Sequence, residues 1–480
     1  MTPRHPTERS THASRARRVL AAAVVGILLA ATVSCTPDDA RYGTFTAKVE
    51  PADCGLAEFA RAPKPVTITM WHVLARSSEE WLQRVTQRFN ESQGDVRVRL
   101  LQQPGYPDEF TKYKAGLTSG DLPDIATLEE TVVQQMIDSQ GSVPVQACFD
   151  ADHYDTSPFV PRALEYYKAG GVQRAMPWTV SNPILFYDRD AFRKAGLDPD
   201  HPPRTLDEVR RASQAIVRSK AAKHGISLKI APYLYEVLLA KSGGELVDHG
   251  NGRKARADAT NLTSPTSRSI WRWWREMVRS GLAVDTGADP NSFDHLLAIA
   301  NHNAAMTFEA SGAIGPINAV LSSGVFGEIH LATAPLPSLR GGGGVPVGDG
   351  ALWLLRHSSK VKRAAAWQFV KFLSTAEMSA SLAADGGYVP VRKDAVTQPL
   401  LAEKWAAEPI YRTAYDQLLS GPLDTATVGS LIGDYRAVRD NVRDGMIRML
   451  RQGVSAARAT SDAKAEADIA LQEYNDRVGG

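Results

Sequence analysis

The stretch "AMPWTVSNPILFYDRDAFRKAGLDP", Ala175 to Pro199, decides how the chain is read. Its apolar run "PILFY" is continuous and does not alternate, the pattern of a strand buried on both faces. A Trp and a Ser-Asn pair stand just before it, and charged residues follow at once, leaving as a helix in "YDRDAFRKAGL". A large aromatic and small polar groups therefore sit beside a structural strand, a composition suited to the wall of a ligand site.

Working outward, strand and helix alternate. Upstream, "VTITMWHV" alternates as a strand, and "SSEEWLQRVTQRFNESQ" spaces Trp81, Val85 and Phe89 four apart, an amphipathic helix capped by Ser77 or Ser78. "VRVRLLQQ" reads as a strand, "PDEFTKYKAGLTSGDLP" as a helix with its stop, and "DIATL" as the next strand. Downstream, "TLDEVRRASQAIVRS" has Thr205 at the cap and Glu208 three residues on, a capping box. Trp271, Trp273 and Trp274 in "SIWRWWREMVRSGL" read as helix packing and not as a ligand cage. "AAMTFEASGAI" returns to strand and turn. "GGGGVPVGDGALWLL" is a glycine-rich loop feeding a strand; it lacks the Gly-Lys-Ser/Thr and the helix of a phosphate loop. From Tyr435 to about Tyr474 the chain reads as helical almost throughout. The alternation predicts an α/β fold with a largely parallel sheet.

The 480 residues are too many for one ordinary core and suit two or three domains or lobes. Hydrophobic residues make up 43% and charged residues 22%, normal for a soluble globular protein. A formal charge of +2, with no basic stripe interleaved with aromatics, argues against nucleic acid. The start differs. Five arginines precede the 15-residue apolar run "VLAAAVVGILLAATV", which is shorter than the roughly 20 residues of a membrane-spanning helix. This is the pattern of a secretory signal over residues 1–34, with a retained N-terminal anchor as the alternative. "ATVSC" resembles a bacterial lipobox, in which Cys35 is lipid-modified and becomes the first mature residue; Thr32 departs from that pattern. Without residues 1–34 the chain keeps 50 basic against 52 acidic residues, so the basic character belongs to the signal. Cys54 and Cys148 remain. An exported compartment favours a disulfide between them, and two separate buried thiols are the alternative. Residues 35–64 are polar and without sustained periodicity, and read as a linker.

Enzyme templates fail. The eleven histidines are scattered, no His-Glu-x-x-His occurs, and neither a metal nor a cofactor is implied. "EASGA" around Ser311 lacks the first glycine of a nucleophile elbow, and nothing singles out Glu129-Glu130 as a glycosidase pair. What recurs is an aromatic beside a small or polar residue at predicted strand ends: Trp71-His72, Gly105-Tyr106, Trp178 with Ser181, Gly387-Tyr388. Strand ends border the crevice of α/β sheets, and such a mixture suits a sugar.

The chain resembles the extracellular solute-binding proteins of ABC importers, the family of maltose- and glycerol-3-phosphate-binding proteins. The resemblance runs over nearly all of residues 65–475. It is carried by "ITMWHV", "GYPDEFTKYKAGLTSGDLPDI", "MPWTVSNPILFYDRDAFRKAGLDPDHPPRTLDEV", "NAAMTFEASGAIGPI", "GDGALWLL", "AAWQFVKFLSTAEMSASLAADGGYVPVRKDA" and "GDYRAVRDNV". It implies a two-lobed, class II periplasmic-binding-protein fold with the ligand cleft between lobes. "PWTVSNPILFYDRD" then looks like a crossing strand. The implied lobes are 60–180 with 308–375, and 181–307 with 376–480. The cleft residues it implies are Tyr106, Glu109, Trp178, Ser181, Tyr233, Ser311, Gly350 as a backbone donor and Tyr388; Trp71, His72, Glu129, Asp434 and Arg436 are further ligand-binding candidates.

One departure bears on the ligand. Phosphate-binding relatives carry "RLGNF" where this chain has "LIGDY", so Leu431 stands in place of an arginine that would grip a phosphate dianion. The expectation is a lipid-anchored monomer on the outer face of the cell membrane, binding an oligosaccharide and delivering it to ABC permease subunits without catalysis. A glycerophosphodiester or glycerol-3-phosphate is the alternative ligand, with Arg436 at hand for a diester. A secreted glycan hydrolase and a structural cell-wall protein are the alternatives of other classes.

Overall fold

The computed structural model describes residues 49–479 apart from 322, 324, 327 and 328, and these belong to one compact unit. The expected signal over 1–34, Cys35 and the first part of the expected linker lie outside the described residues.

Two mixed sheets, one in each lobe, carry the fold. The first runs Val96–Gln102, Val66–His72, Ile125–Glu129, Gly348–Leu355, Ser142–Val143, and Met176–Ser181 also pairs with Gly348–Leu355. Val66–His72 is parallel to both neighbours, whereas Gly348–Leu355 runs antiparallel to Ile125–Glu129. The second sheet runs Ala283–Asp285, Ile226–Leu228, Met306–Ala310, Pro183–Asp188, Leu331–Pro335.

Met176–Ser181 thus lies in the first sheet and Pro183–Asp188 in the second, and Asn182 is where the chain crosses. Every residue of both strands is buried. Pro183–Asp188 is a central strand between two antiparallel neighbours and is buried on both faces, which is why "PILFY" is apolar throughout. Asn182 is fully buried and makes three hydrogen bonds. Its Nδ2 donates to the Ala414 carbonyl (3.1 Å) and its Oδ1 accepts from Gln417 Nε2 (2.6 Å). Its carbonyl accepts from the Ser311 N–H (3.1 Å). The helix Arg189–Lys194 follows, capped by the Asp188 side chain, and Thr205 with Glu208 forms the capping box of Leu206–Arg218. Trp271 and Trp274 are fully buried, and Trp273 Nε1 donates to the Leu206 carbonyl at 2.8 Å, so all three serve the core.

Several expectations are corrected. The linker does not extend to residue 64: Leu56–Arg61 is a helix that buries Phe59 and packs on Lys360–Leu373. Cys54 and Cys148 are joined, their Cα atoms 4.9 Å apart. A six-residue helix does not stand alone, so this packing and the cross-link hold it. Gly55, at φ 81°, lies against the Lys360 carbonyl with no room for a Cβ. The chain does not return to the first lobe at 308, because Leu331–Pro335 still pairs with Pro183–Asp188; Gly348–Leu355 makes the return. Nor does it leave the first lobe at 376, because Ala376–Gly386 packs on Ser77–Ser92. There Trp81 Nε1 donates to Ser381 Oγ (2.8 Å) and Arg88 pairs with Glu377 (2.7 Å). Finally, Ser77–Ser92 has Arg76 at its cap position, with φ 57° and no capping side chain, so neither Ser77 nor Ser78 caps it.

Candidate functional site

Val66–His72 and Ile125–Glu129 end at one edge of the first sheet, and antiparallel Gly348–Leu355 begins there, with Glu129 directly opposite Gly350. Sheet edges of this kind border the ligand crevice of α/β folds. The triplet Gly348-Asp349-Gly350 lies at this end of the sheet, and tyrosines gather on it. The Tyr106 hydroxyl lies over Gly350, 3.2 Å from Thr179 Oγ1; a Cβ at Gly350 would stand 2.6 Å from that hydroxyl. The Tyr233 hydroxyl lies over Gly348, where a Cβ would collide with it, and is 3.5 Å from the Ser181 carbonyl. The Tyr167 hydroxyl donates to the Asp349 carbonyl at 2.9 Å. Tyr388 adjoins the same carboxylate. Asp349 itself sits at φ 72°, a region that a non-glycine residue enters at a cost.

Burial pushes the Asp349 carboxyl up to about 6; the Ser181 hydroxyl pulls it down, and Glu129 and Glu309 add to the rise. Burial first, then neighbouring carboxylates, hold the hydroxyls of Tyr106, Tyr167, Tyr233 and Tyr388 protonated well above the ordinary tyrosine range. Glu309 behaves differently. Burial works against its charge, but buried His295, whose Nε2 is 2.6 Å from Glu309 Oε2, together with the Ala310 N–H and Lys229, outweighs burial and leaves the carboxyl below its ordinary range.

A second group adjoins Tyr233. Arg439, on the helix Tyr435–Arg451, forms a bidentate pair with Glu236 (2.9 and 2.8 Å) and also bonds Glu130 (2.7 Å). Its guanidinium lies 5.4 Å from the Tyr233 ring centre and 4.9 Å from that of Tyr435. The Tyr435 hydroxyl donates to Glu236 at 3.0 Å. The site thus offers hydroxyl donors, carboxylate acceptors and aromatic surface, which is equipment for binding a polar ligand.

The structure brings Tyr106, Glu129, Ser181, Tyr233, Gly350 and Tyr388 together around Asp349, with Ser311 nearby: a Cβ on Gly312 would be 3.8 Å from the Tyr388 ring. It places the others elsewhere. Glu109 is fully buried and accepts from the Thr127 N–H (3.0 Å) and hydroxyl (3.3 Å), joining Tyr106–Ser119 to the sheet. The Gly350 N–H is taken by Thr179 Oγ1 at 3.0 Å, so it is no free backbone donor. Trp71 and His72 are buried in the core, and burial pushes His72 down to about 4. Trp178 is buried with its ring 6.5 Å from that of Trp81. Asp434 caps Tyr435–Arg451 by accepting from the Ala437 N–H. Arg436 is exposed and has no hydrogen-bond or ion-pair partner among the described residues. Among the described residues Asp248, His249 and Asp258 bring ligand atoms within 4.8 Å of one another, but they form a surface cluster bonded internally.

Sequence reasoning missed Asp349, Thr179, Tyr167 and Arg439. Signals existed for two. Asp349 is flanked by glycines, the mark of a backbone that something approaches closely. Arg439 lies four residues after buried Tyr435, on the same helix face, whereas Arg436 is turned away from it.

Residues 84–413 match the family profile described as bacterial extracellular solute-binding protein. The sn-glycerol-3-phosphate-binding periplasmic protein of Rhizobium meliloti is 25% identical over 423 residues, covering 86% of this chain and 94% of that protein. The GacH receptor of Streptomyces glaucescens, solved unliganded and with acarbose, superposes with a TM-score of 0.69 at 20% identity, over 85% of this chain and 99% of that one. UgpB of Mycobacterium tuberculosis in complex with glycerophosphocholine superposes with a TM-score of 0.68 at 21% identity, over 86% and 98%.

Proposed function

This chain belongs to the bacterial extracellular solute-binding protein family, and from that premise we propose that it is the ligand-capturing component of an ABC importer, with an oligosaccharide as its ligand. The observation that carries the ligand class is the group of Tyr106, Tyr233 and Tyr388, each partly exposed, about Asp349. Tyrosine rings present apolar surface to the CH faces of a sugar, while hydroxyls and carboxylates take its hydroxyls. A glycerophosphodiester is the second reading, favoured by the glycerophosphocholine bound in the Mycobacterium structure. A phosphate monoester fits poorly. Leu431 is buried where an arginine is wanted, and the Arg439 guanidinium is already held by two carboxylates.

Family membership makes the protein an exported one. In this reading residues 1–34 direct export, and Cys35 carries the lipid that keeps a monomer at the outer face of the membrane. The working lobes are about 49–181 with 345–397, and about 182–344 with 398–479, from the order in which strands join the two sheets. A ligand that touches both lobes favours their closed arrangement by its differential affinity, and the closed shape is what permease subunits receive. No bond is made or broken.

Thermal melting of the purified protein against oligosaccharides and glycerophosphodiesters tests this. A ligand at 100 times its Kd stabilises by about 2.7 kcal/mol, enough for a clear rise in Tm. The expected result is a rise with an oligosaccharide and no glycan turnover. Release of reducing ends on prolonged incubation would replace this reading with the hydrolase.

A further inference from the structure

We propose that the cleft binds a positively charged group of its ligand at Asp349, among Tyr106, Tyr233 and Tyr388. This rests on the solute-binding reading above and deepens it.

The negative charge at this spot lacks a counter-charge from the protein. The Asp349 carboxylate has the Ser181 hydroxyl beside it. Glu129, directly across the strand pair from Gly350, has no hydrogen-bond or ion-pair partner among the described residues. Arg439 is already engaged by Glu236 and Glu130. Asp349 and Glu129 are both half-buried, and a cation brought between them is held more strongly than in open solvent because less water screens it.

The backbone points the same way. Asp349 is held at φ 72° between two glycines whose missing side chains admit the Tyr106 and Tyr233 hydroxyls. Strain of that kind persists where the surroundings over-determine it, and it collects at ligand sites. An independent sign lies at Tyr388: Ser311, next to Gly312 beneath that ring, is fully buried and its hydroxyl has no partner. A buried polar group left unpaired in this position is one that a ligand completes. Tyrosines grouped round a carboxylate are also the composition that receives ammonium groups.

Two ligand sources share this chemistry: an amino sugar within an oligosaccharide, and the quaternary ammonium of a zwitterionic glycerophosphodiester. Calorimetric titration of the purified protein with two matched pairs separates them. One pair is glycerophosphocholine against glycerophosphoglycerol; the other is glucosamine oligosaccharides against their N-acetylated counterparts. In one pair the cation-bearing member should bind at least about 10-fold tighter, or about 1.4 kcal/mol. Asp349→Asn should abolish that preference, bringing the two members of the pair to within about 3-fold of each other. The pair that responds identifies the source. Should Asp349→Asn not fold, Glu129→Gln should weaken the same preference. Equal binding within both pairs, a preference neither substitution touches, or binding of neutral oligosaccharides alone overturns the cation subsite and leaves the solute-binding reading standing. No binding of any of these ligands overturns both.

Discussion

Glu109 shows how much a single side chain's surroundings decide. It lies on the first turn of Tyr106–Ser119, fully buried, and burial pushes its carboxyl up to about 8 even though Thr127 donates to it twice. At neutral pH it is therefore a neutral acid that ties helix to strand. Because the folded form binds this proton more tightly than the unfolded one, the stability it contributes is full below about pH 4.5 and is lost as pH rises through about 8. Glu109→Gln keeps the acceptor oxygen and cannot ionise. It should fold, and urea titrations at several pH values should show a shallower loss of stability between pH 5 and 8 than in the parent; an unchanged slope would assign that loss to other groups. The resemblance to a known motif put Glu109 in the cleft, since sequence alone does not report which way a first-turn side chain faces. By contrast, Arg439 could have been preferred to Arg436 from helical period alone, because Tyr435 marks the buried face.

At the scale of elements, the junction between lobes depends on Gln417 in the helix Thr413–Leu419. Its Nε2 donates to Asn182 Oδ1 (2.6 Å) and to the Pro183 carbonyl (2.7 Å), and its Oε1 accepts from the Leu336 N–H (2.7 Å). One side chain thus fixes the crossing segment and the chain after Leu331–Pro335. Gln417→Ala leaves three buried polar groups unpaired and should cost about 3 kcal/mol, read as a lower urea midpoint at unchanged m-value. A loss below about 0.5 kcal/mol would show that water or a neighbour replaces those bonds. The crossing strand and the capping box at Thr205 were legible because each is a local pattern with one physical reading. The helix Leu56–Arg61 was not, since its stability comes from the cross-link and from Lys360–Leu373, about 300 residues away. The sheet that receives Leu331–Pro335 was equally hidden, because pairing partners distant in sequence leave no periodic trace. The tyrosine ring was half legible: Tyr106 and Tyr388 announce themselves beside glycines, but Asp349 needed the fold to bring them to it.

For the whole molecule, several side chains bond one lobe to the other. Arg253 donates to the carbonyls of Glu165, Tyr166 and Lys168 as well as to those of Val428 and Gly429. Asp138 takes Arg256 (2.8 Å) and the Tyr474 hydroxyl (2.9 Å). In the proposed reading, the lobes rotate about the crossing segment at Asn182, and a ligand that touches both selects the closed end of that rotation. Small-angle scattering of the purified protein, alone and saturated with the ligand that raises its Tm, tests this most directly. The account predicts a smaller radius of gyration and a shorter maximum dimension on saturation. A ligand that binds with stoichiometry one and leaves both unchanged would contradict capture by closure.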